Sequence, residues 1–167
     1  MYFCKLICIA RKYKSFSTFG SLMKISLKRV DDAFHFEGKN EDGKTVHLDA
    51  SEKVGGRNHG VRPMQMLLMA AAGCAAIDVV SILKKQRQEI SDFDIEANGE
   101  REVPALKGEA AVFKDVTIHF KLKGKVEPEK AKRATELSME KYCSASKTLR
   151  LAGAKIDYKI FVNEKEI

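Results

Sequence analysis

A long apolar stretch that follows Pro63 is the feature that most limits how this chain folds. Residues 64–77 are apolar on nearly every side of a helix and are interrupted only by Gln65 and Gly73. Such a helix must be buried all round, and a single sheet cannot cover it. We therefore expect a dimer in which two sheets enclose two such helices. We expect no membrane span, because the run is short and interrupted and Asp78 follows it.

Alternating apolar and polar residues on either side of this helix predict strands. Three such stretches precede it, with a hairpin turn at Asp42–Gly43, and three follow it. A second helix is predicted to begin near Pro128 and to end close to Cys143. The predicted fold class is α+β, with antiparallel sheets around central helices. The predicted strands lie within residues 24–31, 34–38, 45–49, 93–97, 116–122 and 156–162.

Length and charge indicate one domain without a nucleic-acid partner. The chain has 167 residues and 44% hydrophobic content, which predicts a single domain over residues 23–167. The net charge is +7, but residues 1–22 supply four of those charges, and the remaining three are weak grounds for nucleic-acid binding. Residues 1–22 contain no acid, and three interpretations stay open: a targeting segment, a membrane-seeking tail, or a start placed too early. The last is preferred because Met23 opens a strand pattern.

The two cysteines of the predicted domain, Cys74 and Cys143, are its candidate reactive groups. They are 69 positions apart, so they form no CxxC motif and no secreted disulfide framework, and a cytoplasmic location is the simplest expectation. Gly73 predicts a break in the long helix, since glycine costs about 1 kcal/mol there. The break would leave Cys74 at a helix N-terminus, which favours a thiolate. If the fold brings the two together, Cys74 would attack a peroxide and Cys143 would close a disulfide; inert buried thiols remain the alternative.

Two motifs resemble the OsmC/Ohr family of thiol-dependent hydroperoxide reductases. The first is residues 62–86, RPMQMLLMAAAGCAAIDVVSILKKQ, in which Cys74 follows the proline by eleven positions, as in the family. The second is residues 142–160, YCSASKTLRLAGAKIDYKI, in which Cys143 opens the Cys-x-x-Ser pattern of the family. The predicted order of strands and helices is also similar, and the resemblance extends over residues 23–165.

The resemblance implies a swapped α+β homodimer in which two sheets enclose two central helices. It identifies Cys74 as the peroxidatic cysteine and Cys143 as the resolving cysteine. It implies organic hydroperoxides as substrates and dithiols such as lipoyl groups as reductants, with no metal, nucleotide or other cofactor. Ser146 and Asp78 are expected to line the substrate pocket. Asp78 lies one helical turn beyond Cys74, where its charge would raise the pKa of the thiol.

The sequence departs from the family pattern directly after the proline. Family members carry a glutamate there, which holds an arginine over the reactive sulfur; this chain has Met64, followed by the uncharged Gln65, both expected in the pocket. Arg57 is the preferred candidate for the arginine, with Arg62 as the alternative. Since Met64 cannot hold an arginine, a second interpretation stays open: a non-catalytic module that binds an apolar ligand or senses redox state. The histidines, including His59 in a glycine-rich loop, are expected to be surface residues.

Overall fold

The computed structural model describes residues 22–102 and 108–167 of the chain. The predicted N-terminal extension, residues 1–22, therefore falls outside the described residues except for its last position. The described residues contain two sheets and three α-helices, which confirms the predicted α+β class.

The first sheet is an antiparallel meander of three short strands, as the sequence predicted. Its strands are β1 (Ile25–Arg29), β2 (Phe36–Asn40) and β3 (Thr45–Leu48), in that order across the sheet. The predicted turn between β2 and β3 is present. Gly43 occupies it with a φ of 78°, a left-handed conformation that glycine adopts without steric cost.

The long helix α1 (Pro63–Lys85) is continuous over 23 residues. The predicted break at Gly73 is therefore wrong, and Cys74 lies in the middle of a helix and not at its start. The free energy that one glycine costs a helix is small compared with the free energy gained by burying the neighbouring alanines Ala71, Ala72 and Ala75. A Cβ added at Gly73 would meet nothing within 4 Å, so this position faces outward from the chain.

By length and composition alone, α1 is long and apolar enough to cross a bilayer. The apolar run at residues 64–77 thus continues into a helix of 23 residues. However, α1 contacts a sheet and two other helices of the same chain, which is the packing of a core helix.

The second sheet consists of β4 (Glu89–Arg101), β5 (Phe113–Lys125), β6 (Lys155–Val162) and β7 (Lys165–Glu166), in that order. β4 and β5 form a long antiparallel hairpin, whereas β5 and β6 run parallel. The prediction of antiparallel sheets is therefore wrong for this pair. A parallel pair requires a crossover connection, and here three helical segments provide it.

The crossover is built from α2 (Pro128–Leu137), a π-helix (Ser138–Tyr142) and α3 (Ser144–Leu151). The sequence predicted only the first of these, with Cys143 at its end. In the structure Cys143 separates the π-helix from α3, and its backbone N–H donates to the carbonyl of Ser138 at 2.8 Å. The additional helix α3 is the element that completes the cysteine site.

The core lies between the second sheet and the helices. The central strand β5 contributes Val116, Ile118, Phe120 and Leu122, which are almost fully buried, and α1 packs on β4, α2 and α3. The opposite side of α1 stays open in a single chain, where Ile77 is 71% exposed. One chain therefore covers only one side of its most apolar helix.

Candidate active site

Cys74 and Cys143 lie side by side, although 69 positions separate them in the sequence. Cys74 is half-buried on α1, and Cys143 is only 3% exposed at the N-cap of α3. The two thiols lie close enough that each shifts the pKa of the other. Both are free, so the site contains two neighbouring thiols, one more accessible than the other.

The environment of Cys74 favours its thiolate. Burial opposes ionisation, but hydrogen bonds from the Ala145 N–H and from the side chains of Cys143 and Ser144 outweigh it and lower the pKa of Cys74. Hydrogen-bond donors near a thiol stabilise its charged form. Ser144 and Ala145 form the first turn of α3. The sequence predicted that Cys74 would lie at the N-terminus of its own helix, but the helix N-terminus near its sulfur is that of α3.

The environment of Cys143 favours its neutral thiol. Burial raises the pKa of Cys143, the adjacent Cys74 raises it further, and hydrogen bonding with Ser146 only partly opposes these effects. The carbonyl oxygen of Ala71, 3.6 Å from the Cys143 sulfur, is one acceptor available to its single S–H. The two cysteines therefore have pKa values shifted in opposite directions, with Cys74 the more acidic.

Ser146 and Asp78 both belong to this neighbourhood. The Ser146 hydroxyl is fully buried, 3.1 Å from the Cys143 sulfur, and the Ser146 N–H donates to the same sulfur at 3.4 Å. Asp78 accepts a hydrogen bond from the Ser138 hydroxyl at 3.1 Å. Its negative charge acts to raise the pKa of Cys74, as its position in the sequence predicted.

Arg57 does not reach Cys74 within the chain. Its guanidinium instead pairs with Asp31 at 3.4 Å and Asp32 at 3.0 Å, both in the turn between β1 and β2. Among the groups that shift the pKa of Cys74 there is no arginine of the described residues. Within a single chain, Arg57 therefore does not support the Cys74 thiolate as the sequence predicted.

Met64 and Gln65 lie in the first turn of α1, ten and nine positions before Cys74. At 1.5 Å per residue this corresponds to about 15 Å along the helix. The Gln65 side chain accepts from the backbone N–H of Arg62 at 3.0 Å and caps the helix, while Met64 packs against the core. Within one chain neither residue joins the cysteines in a common pocket.

Sequence reasoning missed three contributors to the site, namely Ser138, Ser144 and Ala145. Ser144 and Ala145 follow Cys143 directly in a run of small residues. A cysteine at an N-cap position before such a run is the signal that could have indicated a new helix, since N-caps favour small side chains that accept backbone hydrogen bonds. Ser138 had no sequence signal, because its contact with Asp78 spans 60 positions.

Comparison with known proteins finds relatives of this sequence. A family model described as OsmC-like protein matches residues 56–159. Protein YhfA of Escherichia coli strain K12 is 36% identical over 118 residues, which cover 70% of this chain and 82% of that protein.

Solved structures share the fold. A hypothetical protein from Aquifex aeolicus VF5 superimposes with a TM-score of 0.69 at 28% identity, covering 87% of this chain and all of that one. An organic hydroperoxide resistance protein OsmC from Legionella pneumophila gives a TM-score of 0.59 at 16% identity, with coverages of 85% and 96%. At that identity, the second similarity concerns the fold alone.

Proposed function

The chain belongs to the OsmC-like protein family, as its motifs predicted, and on that premise we propose that it reduces organic hydroperoxides with Cys74 and Cys143. The observation that carries this proposal is the contact between two thiols whose pKa values are shifted in opposite directions. Thiol peroxidases need a thiolate that attacks and a neutral thiol that resolves.

In the first step the Cys74 thiolate attacks the distal oxygen of the hydroperoxide. The O–O bond breaks, an S–O bond forms, and the alkoxide leaves and takes a proton from solvent. Cys74 is thereby oxidised to a sulfenic acid while the hydroperoxide is reduced to an alcohol. Cys74 suits this role because it is the more accessible and the more acidic of the two cysteines.

In the second step Cys143 attacks the sulfenic sulfur of Cys74. An S–S bond forms, the S–O bond breaks, and the oxygen leaves as water with the proton of the Cys143 thiol. A dithiol, for which lipoyl groups are the candidate, then reduces the disulfide and becomes oxidised itself. We place this cycle in the cytoplasm, where thiols are kept reduced.

Organic hydroperoxides are favoured as substrates by the residues that flank Cys74 on α1. Leu67, Ala70 and Ile77 lie on the same helical face as Cys74, at spacings of seven, four and three positions, and all are exposed. Apolar side chains beside the reactive sulfur suit an alkyl or aryl group better than hydrogen peroxide. The same exposed face also supports a homodimer, in which a second copy would pack on α1 and enclose the site.

The proposal is tested with the fully reduced protein and cumene hydroperoxide. We expect the wild-type chain to consume one equivalent and to form a Cys74–Cys143 disulfide, seen by mass spectrometry of non-reduced peptides. Cys74→Ser should abolish consumption, whereas Cys143→Ser should still consume one equivalent and leave a sulfenic acid that dimedone traps. Equal consumption by the wild-type and Cys74→Ser proteins would refute the proposal.

A second function, apolar-ligand binding or redox sensing without turnover, is favoured by two observations. Asp78 opposes the thiolate of Cys74, and the guanidinium of Arg57 is held by Asp31 and Asp32 instead. The two functions differ in the acidity of Cys74, which absorbance at 240 nm measures. A pKa close to the ~8.5 of free cysteine would support the second function, and a clearly lower pKa would support the peroxidase.

A further inference from the structure

Three of the four histidines of the chain meet at one place, beside the first sheet. His35 directly precedes β2, His47 lies on β3, and His59 lies in the glycine-rich loop before α1. Asp31, in the turn between β1 and β2, joins them. Four side chains capable of binding a metal thus converge from three separate segments of the chain.

The distances within this histidine cluster are short. One ligating atom from each of Asp31, His35 and His59 lies within 4.8 Å of the others. The rings of His35 and His59 are 5.3 Å apart between centroids, in an edge-to-face arrangement. Nε2 of His35 lies 2.8 Å from Nδ1 of His47, which is hydrogen-bond distance. The other ring nitrogen of His35, Nδ1, takes no part in this contact.

Backbone hydrogen bonds hold the segments of the cluster in place. One carboxylate oxygen of Asp31 accepts from the N–H of Ala33 at 2.8 Å and of His35 at 3.4 Å. The buried carboxylate of Asp49 accepts from the N–H of His59 at 3.0 Å. Although burial opposes it, these backbone bonds and Arg57 hold the pKa of Asp31 below its ordinary value.

We propose that Asp31, His35 and His59 bind one divalent transition-metal ion per chain, with Zn²⁺ as the best match, and that His47 orients His35. Two imidazoles and one carboxylate form a donor set suited to Zn²⁺, and three protein ligands leave a fourth position for water. A ligating histidine commonly donates its other ring N–H to a neighbouring acceptor, which fixes its tautomer. The His35–His47 hydrogen bond provides that arrangement.

Metal binding requires only small changes in this region. The ligating atoms lie within 4.8 Å of one another and must approach by up to about 1.5 Å to fit a tetrahedral ion with metal–ligand bonds near 2 Å. The interaction that such an ion would displace is the Arg57–Asp31 pair, which is long at 3.4 Å and has its arginine 51% exposed. Exposed pairs of this kind contribute little to stability. This site departs from the sequence-based prediction of no metal and does not depend on the proposed peroxidase function.

The experiment uses the full chain with its four cysteines, Cys4, Cys8, Cys74 and Cys143, replaced by serine, so that thiols cannot bind the probe. Zn²⁺ affinity is measured by competition with a chromophoric chelator. The variants His35→Ala, His59→Ala and Asp31→Asn are compared with His119→Ala, a matched control on β5 outside the cluster. We expect one ion per chain in the parent and a loss of affinity of at least about tenfold in the three ligand variants. His119→Ala should bind as the parent does.

His47→Ala separates the orienting role from ligation, since it should weaken binding while leaving one ion per chain. Because an alanine variant at His35 or His59 can lose its fold, unfolding of each is followed in EDTA. Asp31→Asn, which keeps an oxygen for the backbone bonds, and the visible bands of bound Co²⁺ then provide a second measurement. The proposal is overturned if the parent binds no ion, if His119→Ala loses as much affinity as the ligand variants, or if Asp31→Asn binds Co²⁺ as tightly as the parent does.

Discussion

The backbone N–H of Ala145 lies near the sulfur of Cys74, which is 71 positions earlier in the chain, and lowers the pKa of that thiol. This approach brings the first turn of α3 to the middle of α1. It acts together with the Ser144 hydroxyl and the Cys143 thiol, so that the sulfur meets the positive end of a helix that is not its own. The acidity of Cys74 therefore depends on how α3 is placed.

The first prediction concerns the hydroxyl of Ser144. Ser144→Ala removes one donor from the Cys74 sulfur, so the pKa of Cys74 should rise and its alkylation by iodoacetamide at neutral pH should slow. The rate is measured peptide by peptide with mass spectrometry over a pH series. Thr148→Ala is the matched control, since the Thr148 hydroxyl bonds a helix carbonyl and not the sulfur. A pKa of Cys74 unchanged by Ser144→Ala would contradict the role given to this hydroxyl.

The second prediction concerns the charge of Asp78. Asp78→Asn removes the carboxylate that opposes the thiolate, while an amide oxygen can still accept from Ser138. The pKa of Cys74 should therefore fall, and the pH at which alkylation reaches half its maximal rate should fall with it. Asp94→Asn, on the exposed part of β4, should leave this pH unchanged. A shift to higher pH in the Asp78 variant would show that the carboxylate supports the thiolate.

The third prediction concerns the open side of α1. Ile77 is 71% exposed in one chain, so Ile77→Glu should cost the single chain little and should oppose a dimer that buries this face. Light scattering coupled to gel filtration is expected to give the mass of two chains for the wild type and of one chain for the variant. Leu151→Glu places the same charge on an exposed residue of α3 and should leave the dimer intact. A wild-type protein with the mass of one chain would contradict the proposed dimer.

The fourth prediction concerns Arg150, which joins the π-helix to the second sheet. Its guanidinium donates to the carbonyl of Met139 at 2.6 Å and to that of Ile156 at 3.4 Å. Arg150→Ala should lower the free energy of unfolding by about 2 kcal/mol, because hydrogen bonds from charged donors contribute roughly that amount. Urea denaturation measures the change. Lys132→Ala, at an exposed position of α2, is the control and should stay within about 0.5 kcal/mol of the wild type.

The fifth prediction concerns the buried carboxylate of Asp49. Hydrogen bonds from the N–H of His59, then of Arg57 and Ala50, outweigh its burial and lower the pKa of Asp49 from 3.8. A lowered carboxylate pKa adds stability above the unfolded-state value, and this stability is lost as the pH falls through the folded-state pKa. Asp49→Asn should therefore be less stable than the wild type at pH 7. The difference in urea midpoint should shrink below pH 3.8, and a constant difference down to pH 2 would contradict this origin.

Alternation of apolar residues was sufficient to predict most strands, and the two motifs were sufficient to predict the family. Residues such as Val116, Ile118 and Phe120 are spaced so that only one face of a strand can reach the core, and the structure buries them accordingly. The contact between Cys74 and Cys143 was expected from the resemblance and not from spacing. Patterns of this kind depend on whether each residue is buried or exposed. They therefore predicted where the strands and helices lie in the sequence.

Features that depend on contacts between residues far apart in the chain could not be predicted from the sequence. The parallel pairing of β5 and β6 follows from the path of the crossover, which no local pattern encodes. Gly73 predicted a helix break because its intrinsic cost is local, whereas the packing that overrides this cost is not. The histidine cluster escaped for the same reason, since His35, His47 and His59 each look like an isolated surface residue in the sequence.

The π-helix between α2 and α3 determines the direction in which the next residue, Cys143, points from the helix axis. A π-turn holds one residue more than an α-turn, and each residue of an α-helix advances the chain by about 100° around the axis. Deleting a single residue between Ser138 and Tyr142 would therefore turn Cys143 by about a quarter of a circle away from Cys74 without altering either sulfur. Such a deletion would keep both cysteines in the sequence and move their sulfurs apart.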